Sequence, residues 1–332
     1  MKVIKLREGP TYGYVLYTAA DCRLPQRDQH LIPRLNELQI DVHFAYPSDL
    51  IQEASDDFDL VIVNNPLLLP YATKVRLPIV FDWIDHYSEI ARIEYGREYA
   101  AAMANMEMWV PKKATFIITQ SSLIKDDLVK RFNYPEERIS VIPNGADTSL
   151  FKPIDTCACK PGMTTVFFMG SLSRWYEGIL DIADCVEGMN GVHLIIAGDG
   201  ALRSELMNRK KTKLLGVVPY QKLPELINKS CICIHPVDDE SPLAVYEYAA
   251  CQKPIIQPKG RAEEALNKKA CYAEHSIDGW RLQISALKDD SRLAKSIAEN
   301  CYRFVKKERD WSFLVRKYKE SLEKAIELSP PK

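Results

Sequence analysis

The chain has 332 residues, roughly twice the length of a typical domain of ~150 residues, so two domains are expected. Hydrophobic residues make up 46% and charged residues 27%, the balance of a soluble globular protein and not of a disordered chain. The formal net charge of -1 excludes the overall basic footprint of a nucleic-acid-wrapping protein. No apolar run approaches the ~18 residues of a membrane-spanning helix, and charges interrupt the first ten residues, which predicts a cytoplasmic protein.

Short apolar, β-branched runs alternate with stretches of helical spacing along most of the chain. This alternation is typical of parallel sheets covered by helices, so the predicted class is α/β. In the first half the runs are 14–17, 41–45, 60–63, 78–81, 116–119 and 139–142. In the second half they are 165–170, 193–198, 214–216, 231–235 and 254–256. The pattern therefore predicts two successive α/β domains.

A segment rich in proline and glycine separates the two sets of runs. Residues 151–162 interrupt both periodicities, which predicts a first domain over 1–150 and a second over 151–308. Residues 309–328 have apolar positions at helical spacing, so they should form a closing amphipathic helix that completes the first domain. Residues 1–150 carry 16 basic and 21 acidic side chains, whereas the remainder carries 28 and 24. The mildly positive second domain suits a phosphate-bearing ligand, although a solvated surface explains it equally well.

The strongest local signal follows the run at 231–235. Ser241 is predicted to cap a helix, with Pro242 at its first position, where a missing N–H costs nothing. Free N–H groups near Leu243 and Ala244 would then point out of the positive end of the helix, which favours an anion such as a diphosphate.

Two acidic residues belong to the same segment. Helical geometry puts Glu247 on the side where the free N–H groups begin, so its carboxylate is placed to accept both ribose hydroxyls of a nucleotide. Asp239 lies eight residues earlier, in the loop that would meet whatever is attached beyond the diphosphate. The alternative interpretation is a surface helix whose acidic residues simply stabilise its N-terminus.

These residues resemble a known family. Asp239 and Glu247, followed by 253–256, resemble the acidic pair separated by seven residues in retaining GT-B glycosyltransferases of family 4, with Asp replacing the more common first Glu. Four further segments are similar to that family and occur in the family's order: 141–151, 168–172, 193–200 and 215–226. Segments 23–31 and 81–88, with the tryptophan-containing loop at 171–178, resemble a subgroup that builds bacterial cell-surface polysaccharides.

The resemblance implies a GT-B fold, in which two Rossmann-like parallel-sheet domains face a cleft. It implies that Glu247 binds the donor ribose and Asp239 contacts the donor sugar. The turn of Ser241, Pro242 and Leu243 would cradle the β-phosphate. Gly170 and Ser171, at the end of a strand, would let the diphosphate approach the backbone closely. Such a site would use no metal and no cofactor. The donor would be a nucleotide sugar such as a UDP- or GDP-sugar, and the acceptor would be a glycan, a glycolipid or another hydroxyl compound. The anomeric configuration of the transferred sugar would be retained.

The chain also departs from the family's pattern. Family members usually have an arginine and a lysine in this loop to neutralise the leaving diphosphate, the lysine just before a glycine. Here Glu177 precedes Gly178, and Arg174 is the only basic residue left in 171–178, so the resemblance assigns that catalytic role to Arg174 alone. The subgroup often has a lysine where this chain has Ala244. The missing positive charges leave an alternative open, in which the chain is a catalytically degenerate GT-B protein that serves as a binding or partner subunit.

The first domain offers candidate acceptor residues at the carboxyl edge of its sheet. Arg27 and His30 follow the opening run, whereas Asp82, Asp85 and His86 follow the run at 78–81. Because open α/β sheets bind ligands at this edge, these side chains are candidates for acceptor recognition or proton transfer, with Asp85 and His86 as the catalytic candidates. Local capping and turn chemistry is the alternative for each.

Other functions are disfavoured by the sequence. The segment 198–203 lacks the third glycine of a dinucleotide fingerprint, because Arg203 stands there, and the cysteine spacings do not match a zinc knuckle. A glycosyltransferase that modifies DNA is disfavoured by the acidic first domain. Met103, Met106, Met108 and Trp109 form an apolar cluster that is more typical of core packing than of a lipid-facing surface. Peripheral association with the inner face of the membrane stays open.

Overall fold

The computed structural model describes residues 1–6, 26–47, 58–154 and 162–329. The chain forms two compact units. The first contains Met1–Pro143 together with the C-terminal segment from Trp311, and the second contains Asn144–Asp310. The chain thus passes between the units twice, after Pro143 and after Asp310. Residues 155–161 of the predicted linker lie outside the described residues.

The described part of the first unit contains a six-stranded parallel sheet in the order β2-β1-β3-β4-β5-β6. Val, Ile, Leu and Phe make up most of β3 to β5, which are buried throughout, as expected for a parallel sheet that is covered on both faces. The strands are β1 (Lys2–Leu6), β2 (Asp41–Ala45), β3 (Leu60–Val63), β4 (Ile79–Trp83), β5 (Phe116–Thr119) and β6 (Ile139–Val141).

Helices cover this sheet. They are α1 (Gln26–Glu37), α2 (Leu69–Ala72), α3 (Tyr87–Tyr95), α4 (Arg97–Glu107), α5 (Val110–Lys113), α6 (Ser122–Phe132) and the C-terminal α13 (Trp311–Glu327). The predicted closing helix is confirmed as α13, which buries Trp311, Leu314, Val315, Tyr318 and Leu322 against the first unit. Helix α6 begins with a side-chain cap, because Ser121 Oγ accepts a hydrogen bond from Ile124 N at 3.1 Å.

The second unit has a parallel sheet in the order β12-β11-β10-β7-β8-β9, also six-stranded over the described residues. Its strands are β7 (Thr164–Met169), β8 (Val192–Ala197), β9 (Thr212–Leu214), β10 (Ile232–Ile234), β11 (Ile255–Pro258) and β12 (Cys271–Ala273). Its helices are α7 (Gly178–Glu187), α8 (Arg203–Leu206), α9 (Leu223–Asn228), α10 (Leu243–Ala250), α11 (Ile277–Asp289) and α12 (Ser291–Glu308). The α/β class and both parallel sheets are confirmed.

The strand order of the second unit fixes where a ligand can bind. The chain moves outward from β7 to β8 and β9, then returns to place β10 on the other side of β7. Phe167 of β7 pairs with Cys233 of β10 at this reversal. Open α/β sheets bind ligands in the crevice outside the carboxyl ends of the strands at such a switch point. We therefore expect a ligand-binding site in the segments that follow Met169 and Ile234.

The sequence interpretation did not predict β1, which the structure places at Lys2–Leu6. The strand predicted at 14–17 lies outside the described residues. Lys2 and Lys5 interrupt the apolar pattern of β1, but Lys5 is buried and its ammonium forms an ion pair with Asp28 of α1 at 2.7 Å. This buried ion pair lets a charged residue occupy a central strand. Over the described ranges, no helix has the length and apolar character needed to cross a membrane.

Candidate nucleotide-sugar site

The N-terminus of α10 lies directly after the switch point and differs from its prediction. Pro242, not Ser241, occupies the N-cap position, and no side chain caps the helix. The Ser241 hydroxyl is already engaged, because it accepts a hydrogen bond from Asn144 N at 2.8 Å. Asn144 Nδ2 also donates to the Ser241 carbonyl at 2.8 Å. The predicted capping role of Ser241 is therefore wrong, and Ser241 instead fixes the turn to the start of the second unit.

The first turn of α10 nonetheless carries unused donors. Within the described residues, the N–H groups of Leu243 and Ala244 have no hydrogen-bond acceptor, whereas Val245 N donates to the Pro242 carbonyl at 3.1 Å. Leu243 and Ala244 are half-buried, so a ligand can reach these groups. Two free donors at the positive end of a helix favour an anion.

Glu247 lies one turn further into α10 and is almost completely buried, at 1% exposure. This burial rules out the alternative in which Glu247 is a solvated carboxylate on a helix surface. The Tyr220 hydroxyl donates a short hydrogen bond to Glu247 Oε1. Burial raises the pKa of Glu247 to about 8, and the hydrogen bond from Tyr220 offsets part of that increase. A buried carboxyl with a strongly raised pKa beside a ligand crevice is a functional-site candidate.

Tyr248, the residue after Glu247, anchors α10 to the end of β7. Its hydroxyl oxygen accepts a hydrogen bond from Met169 N at 2.7 Å, and its ring packs edge-on against Phe167 at 6.2 Å. The buried Tyr248 therefore fixes the position of Glu247 relative to the Gly170 segment, which follows Met169. The sequence interpretation singled out neither Tyr248 nor Tyr220, although Tyr220 lies in the family-like segment 215–226.

The two aspartates before α10 have different surroundings. Asp238 Oδ1 accepts from Ala262 N at 2.7 Å, and its other oxygen lies 3.6 Å from Arg261 Nε. Asp239 is half-buried, and its Oδ1 accepts from Ser241 N at 3.0 Å. Asp238 thus links this loop to the segment after β11 through a hydrogen bond and an ion pair. Asp239 stabilises the turn that leads into α10 through its hydrogen bond with Ser241 N.

Glycines let the backbone segments at this edge approach each other closely. Gly198 has φ +156°, and a Cβ at this position would lie 1.8 Å from the Gly170 carbonyl oxygen. Leu172 N donates to the Asp199 carbonyl at 3.0 Å, which holds the two segments together. Gly170 itself has φ +156°, and a Cβ there would lie 2.9 Å from the Phe168 ring. The glycine-rich turn at 198–200 is therefore explained by backbone packing against 170–172.

This packing yields a prediction for Gly198. Gly198→Ala should lower the free energy of unfolding by ~2–3 kcal/mol, because the methyl group collides with backbone that cannot move aside. Urea unfolding measures the change. Gly188→Ala is the matched control, since Gly188 has its nearest neighbour at 3.6 Å and should change stability much less. Equal effects at both positions would contradict the packing argument.

Arg174 and Ser171 lie in the loop after β7. The Arg174 guanidinium forms an ion pair with Glu205 of α8 at 2.8 Å, and Glu177 lies 3.6 Å away. Ser171 Oγ accepts from Ser173 N at 3.1 Å, which shapes the loop. Any role of Arg174 in neutralising a diphosphate therefore requires it to compete with two carboxylates, and its assignment stays a prediction.

The first-unit candidates separate into two groups. Asp82 and Arg27 are buried and paired, with Arg27 Nε donating to Asp82 Oδ2 at 3.3 Å. Tyr318 of α13 donates to the same oxygen at 3.0 Å, and Arg27 also donates to the carbonyl of Ile142. Arg27 and Asp82 hold α1, β4 and α13 together, and their role in acceptor recognition stays a prediction. The His30 ring is likewise buried, stacked on Trp311 at 5.4 Å.

Asp85 and His86 remain accessible. Asp85 is exposed and His86 half-buried, and both follow β4 at the carboxyl edge of the first sheet. His86 occupies the N-cap position of α3 without capping it through its side chain. The structure thus keeps these two as candidates in the first unit, while Gly170, Ser171, Asp239, Ser241, Pro242, Leu243 and Glu247 belong to the switch-point edge of the second.

Comparison with known proteins identifies the class. Residues 11–150 match the family model of Glycosyltransferase Family 4, and residues 163–297 match that of Glycosyl transferases group 1. Anabaena HepE, solved in complex with UDP-glucose, has a TM-score of 0.77 at 17% identity and covers 98% of this chain and 100% of its own. Sucrose-phosphate synthase from Thermosynechococcus elongatus has a TM-score of 0.70 at 13% identity, over 99% of this chain and 89% of its own.

One curated relative has a higher sequence identity, but the alignment covers a smaller part of both chains. The phosphatidylinositol N-acetylglucosaminyltransferase GPI3 subunit of Saccharomyces cerevisiae is 27% identical over 194 residues, which cover 51% of this chain and 43% of that protein. The match therefore spans less than half the length of this relative. The two sheets, the switch-point edge and the family matches define a GT-B glycosyltransferase. The chain belongs to the glycosyltransferases whose two halves are described by family 4 and group 1.

Proposed function

We propose that this chain transfers a sugar from a nucleotide-diphosphate donor to an acceptor hydroxyl, with retention of configuration and without a metal ion, in the synthesis of a glycan such as a cell-surface polysaccharide. The observation that carries the proposal is the buried Glu247 carboxyl, which lies one turn below two free N–H groups of α10. A nucleotide ribose bonded to Glu247 would leave the attached diphosphate within reach of those donors. HepE, a UDP-glucose-bound protein of the same fold, supports a UDP-sugar as the donor.

The chemistry of the site is electrostatic. As the bond between the sugar and the diphosphate breaks, negative charge grows on the leaving phosphate, and donors that are already oriented stabilise it without reorganisation. The Leu243 and Ala244 N–H groups supply that stabilisation, and Arg174 adds to it when it leaves Glu205. Asp239 is the candidate for contact with the donor sugar, and Asp85 and His86 are the candidates for contact with the acceptor hydroxyl.

The experiment is a donor panel with UDP-, GDP-, ADP- and dTDP-sugars. We expect one donor to raise the melting temperature, because a ligand at 100 times its dissociation constant stabilises by ~2.7 kcal/mol. Turnover of that donor should persist in EDTA, and turnover that EDTA abolishes would contradict the metal-free part of the proposal. The anomeric configuration of the product, read by NMR coupling constants, tests retention.

A second function is favoured by the charges near α7. Glu177 precedes Gly178, and the guanidinium of Arg174 is engaged by Glu205. Both features weaken the neutralisation of a diphosphate, which suits a subunit that binds a nucleotide sugar without turning it over. Donor binding in the thermal panel with no hydrolysis or transfer, even with extracts containing candidate acceptors, would favour this alternative.

The raised pKa of Glu247 predicts how donor binding depends on pH. Hydroxyl groups that donate to Glu247 favour its ionised form, so UDP-glucose affinity should fall about tenfold for each pH unit below 8. Tyr220 is hydrogen-bonded to Glu247, and Tyr248 and Cys251 interact with it electrostatically. Burial raises the pKa of Tyr248 and of Cys251, so both stay neutral in this range. Calorimetry between pH 6 and 8.5 measures the slope.

Glu247→Gln is the control for this pH dependence. Glutamine keeps an oxygen that accepts from Tyr220 but cannot ionise, so the slope should disappear in this variant. UDP-glucose is a suitable probe because its diphosphate diester has no proton to lose in this range. Equal slopes in both proteins would show that another group titrates.

A further inference from the structure

His235 is a buried histidine at the switch-point edge of the second unit. It directly follows β10 and is only 2% exposed. Cys233 of β10 pairs with Phe167 of β7, so two residues further along His235 is level with Met169, the last residue of β7. His235 N donates to the Ile256 carbonyl at 3.0 Å, which continues the pairing of β10 with β11. His235 therefore lies at the carboxyl ends of the strands, where open α/β sheets bind ligands.

Neighbouring side chains hold the imidazole ring of His235 in place. The centroid of the Phe168 ring lies 6.4 Å from that of His235, and the Tyr176 ring packs edge-on at 5.9 Å. Phe168 belongs to β7, and Tyr176 to the loop that follows it. The next residue, Pro236, packs closely beside Gly178, at which a Cβ would lie 3.0 Å from the Pro236 carbonyl oxygen. These contacts fix the ring relative to β7 and its loop.

The hydrogen bond of Nδ1 determines the tautomer of His235. Nδ1 lies 3.3 Å from the Val237 carbonyl oxygen. Because a carbonyl oxygen can only accept, Nδ1 carries the hydrogen, and Nε2 of the neutral ring is an acceptor. Burial lowers the pKa of His235 to about 4, and the hydrogen bond to Val237 offsets part of that decrease. The ring is therefore neutral at pH 7.

The second ring nitrogen, Nε2, is available to a ligand. Within the described residues, the bond of Nδ1 is the only side-chain hydrogen bond of His235. Nε2 is not one of the polar atoms that the described fold buries without a partner, so a small part of its surface reaches solvent. An acceptor that is open only at this edge, on a side chain that is otherwise buried, can be satisfied by a bound ligand.

A neutral acceptor nitrogen requires a ligand group that donates a hydrogen. In a nucleotide sugar, these groups are the N–H groups of the base, the ribose hydroxyls and the hydroxyls of the sugar, whereas the ionised diphosphate has none. The ribose hydroxyls belong to Glu247 in the proposed function, and the base lies beyond the ribose, away from the diphosphate. The hydroxyls of the sugar remain. Asp239, the candidate contact to that sugar, follows His235 in the same loop.

We propose that His235 is a specificity-determining residue of the donor site, in which Nε2 accepts a hydrogen bond from one hydroxyl of the transferred sugar. The inference rests on the proposed function and adds to it a contact that selects sugars with a free hydroxyl at one ring position. Because the imidazole stays neutral in this role, it does not replace the positive charges that are missing at Glu177 and Ala244.

Calorimetric titration with UDP and with UDP-glucose tests the proposal on the full chain. His235→Phe keeps an aromatic ring against Phe168 and Tyr176 but has no acceptor nitrogen. It should bind UDP as wild type does and UDP-glucose about 3- to 10-fold more weakly. A purely structural residue would change both affinities alike. His275→Phe is the control, because His275 is an exposed histidine whose Nε2 lies 3.1 Å from the Lys259 carbonyl oxygen, and both affinities should stay unchanged.

Deoxy analogues of UDP-glucose identify the hydroxyl. Among analogues that lack the sugar hydroxyl at position 2, 3, 4 or 6, one should bind wild type about 3- to 10-fold more weakly than UDP-glucose. His235→Phe should bind that analogue and UDP-glucose equally. The proposal is overturned if the variant binds UDP-glucose as tightly as wild type, or if it discriminates against the same analogue.

Nitrogen NMR of the imidazole keeps the proposal testable if the variant does not fold. In wild type without ligand, Nδ1 of His235 should be protonated and Nε2 unprotonated at pH 7, and the opposite tautomer would overturn the proposal. The Nε2 resonance should shift upfield when UDP-glucose is added but not when UDP is added. Wild type that binds neither ligand would overturn the proposed function together with this inference, whereas failure of the inference alone would leave wild-type binding of both ligands intact.

Discussion

Replacing Glu247 with alanine should weaken the binding of the preferred nucleotide sugar about 10- to 150-fold at pH 8.5, where the carboxyl is largely ionised. Hydrogen bonds to a charged group are worth ~1.5–3 kcal/mol, and the variant removes those that the ribose hydroxyls make. Calorimetric titration measures the loss. Glu225→Ala provides the control, because Glu225 is an exposed residue of α9 that is paired with Lys229 and should leave affinity unchanged.

A 2′,3′-dideoxy analogue separates ribose recognition from indirect effects. Wild type should prefer the ribose form strongly, whereas Glu247→Ala should bind both forms with similar weakness. If both proteins discriminate equally, Glu247 does not bind the ribose. Because Glu247 is buried against Tyr220, the alanine variant also removes the carboxylate that accepts from the Tyr220 hydroxyl and should lose ~1–3 kcal/mol of stability. Glu247→Gln keeps an acceptor for Tyr220, so its stability should be closer to wild type.

The sequence was most informative about the strands and the class of fold. Runs such as 60–63 and 116–119 are apolar and β-branched, and they became fully buried central strands. The missed β1 shows the limit of this pattern, since Lys5 breaks the apolar run and its buried partner Asp28 lies 23 residues away. Periodicity reports the faces of an element, but it does not report which distant charge will neutralise a lysine.

The site was predictable where it depends on local spacing and unpredictable where it depends on distant partners. The separation of Asp239 and Glu247 located the switch-point loop and the first turns of α10. Ser241 was assigned to the cap because a serine before a helix usually caps it, whereas its hydroxyl bonds Asn144, which is 97 residues earlier. The burial of Glu247 under Tyr220 could not be inferred either, because it depends on a loop 27 residues away.

Substitution of Asp82 should have the largest effect on stability. Asp82→Ala is expected to lower the free energy of unfolding by ~3–5 kcal/mol, because it leaves the Arg27 guanidinium buried without its carboxylate. The Tyr318 hydroxyl loses its acceptor in the same variant. At roughly 2–4 °C for each kcal/mol in a unit of this size, the melting temperature should fall by about 10 °C.

Two companion variants decide between this structural role and the role in acceptor binding that the sequence suggested. The double variant Arg27→Met, Asp82→Leu removes both charges and should be more stable than Asp82→Ala, since a buried ion pair can be replaced by apolar residues at little cost. Asp85→Ala changes an exposed carboxylate three residues away and should alter stability by no more than ~0.5 kcal/mol. If Asp82→Ala instead melted like wild type and lost only turnover, the carboxylate would act on the acceptor. The hydrogen bonds from Arg27 and Tyr318 argue against that outcome, because they already occupy both oxygens of Asp82 and join α1, β4 and α13.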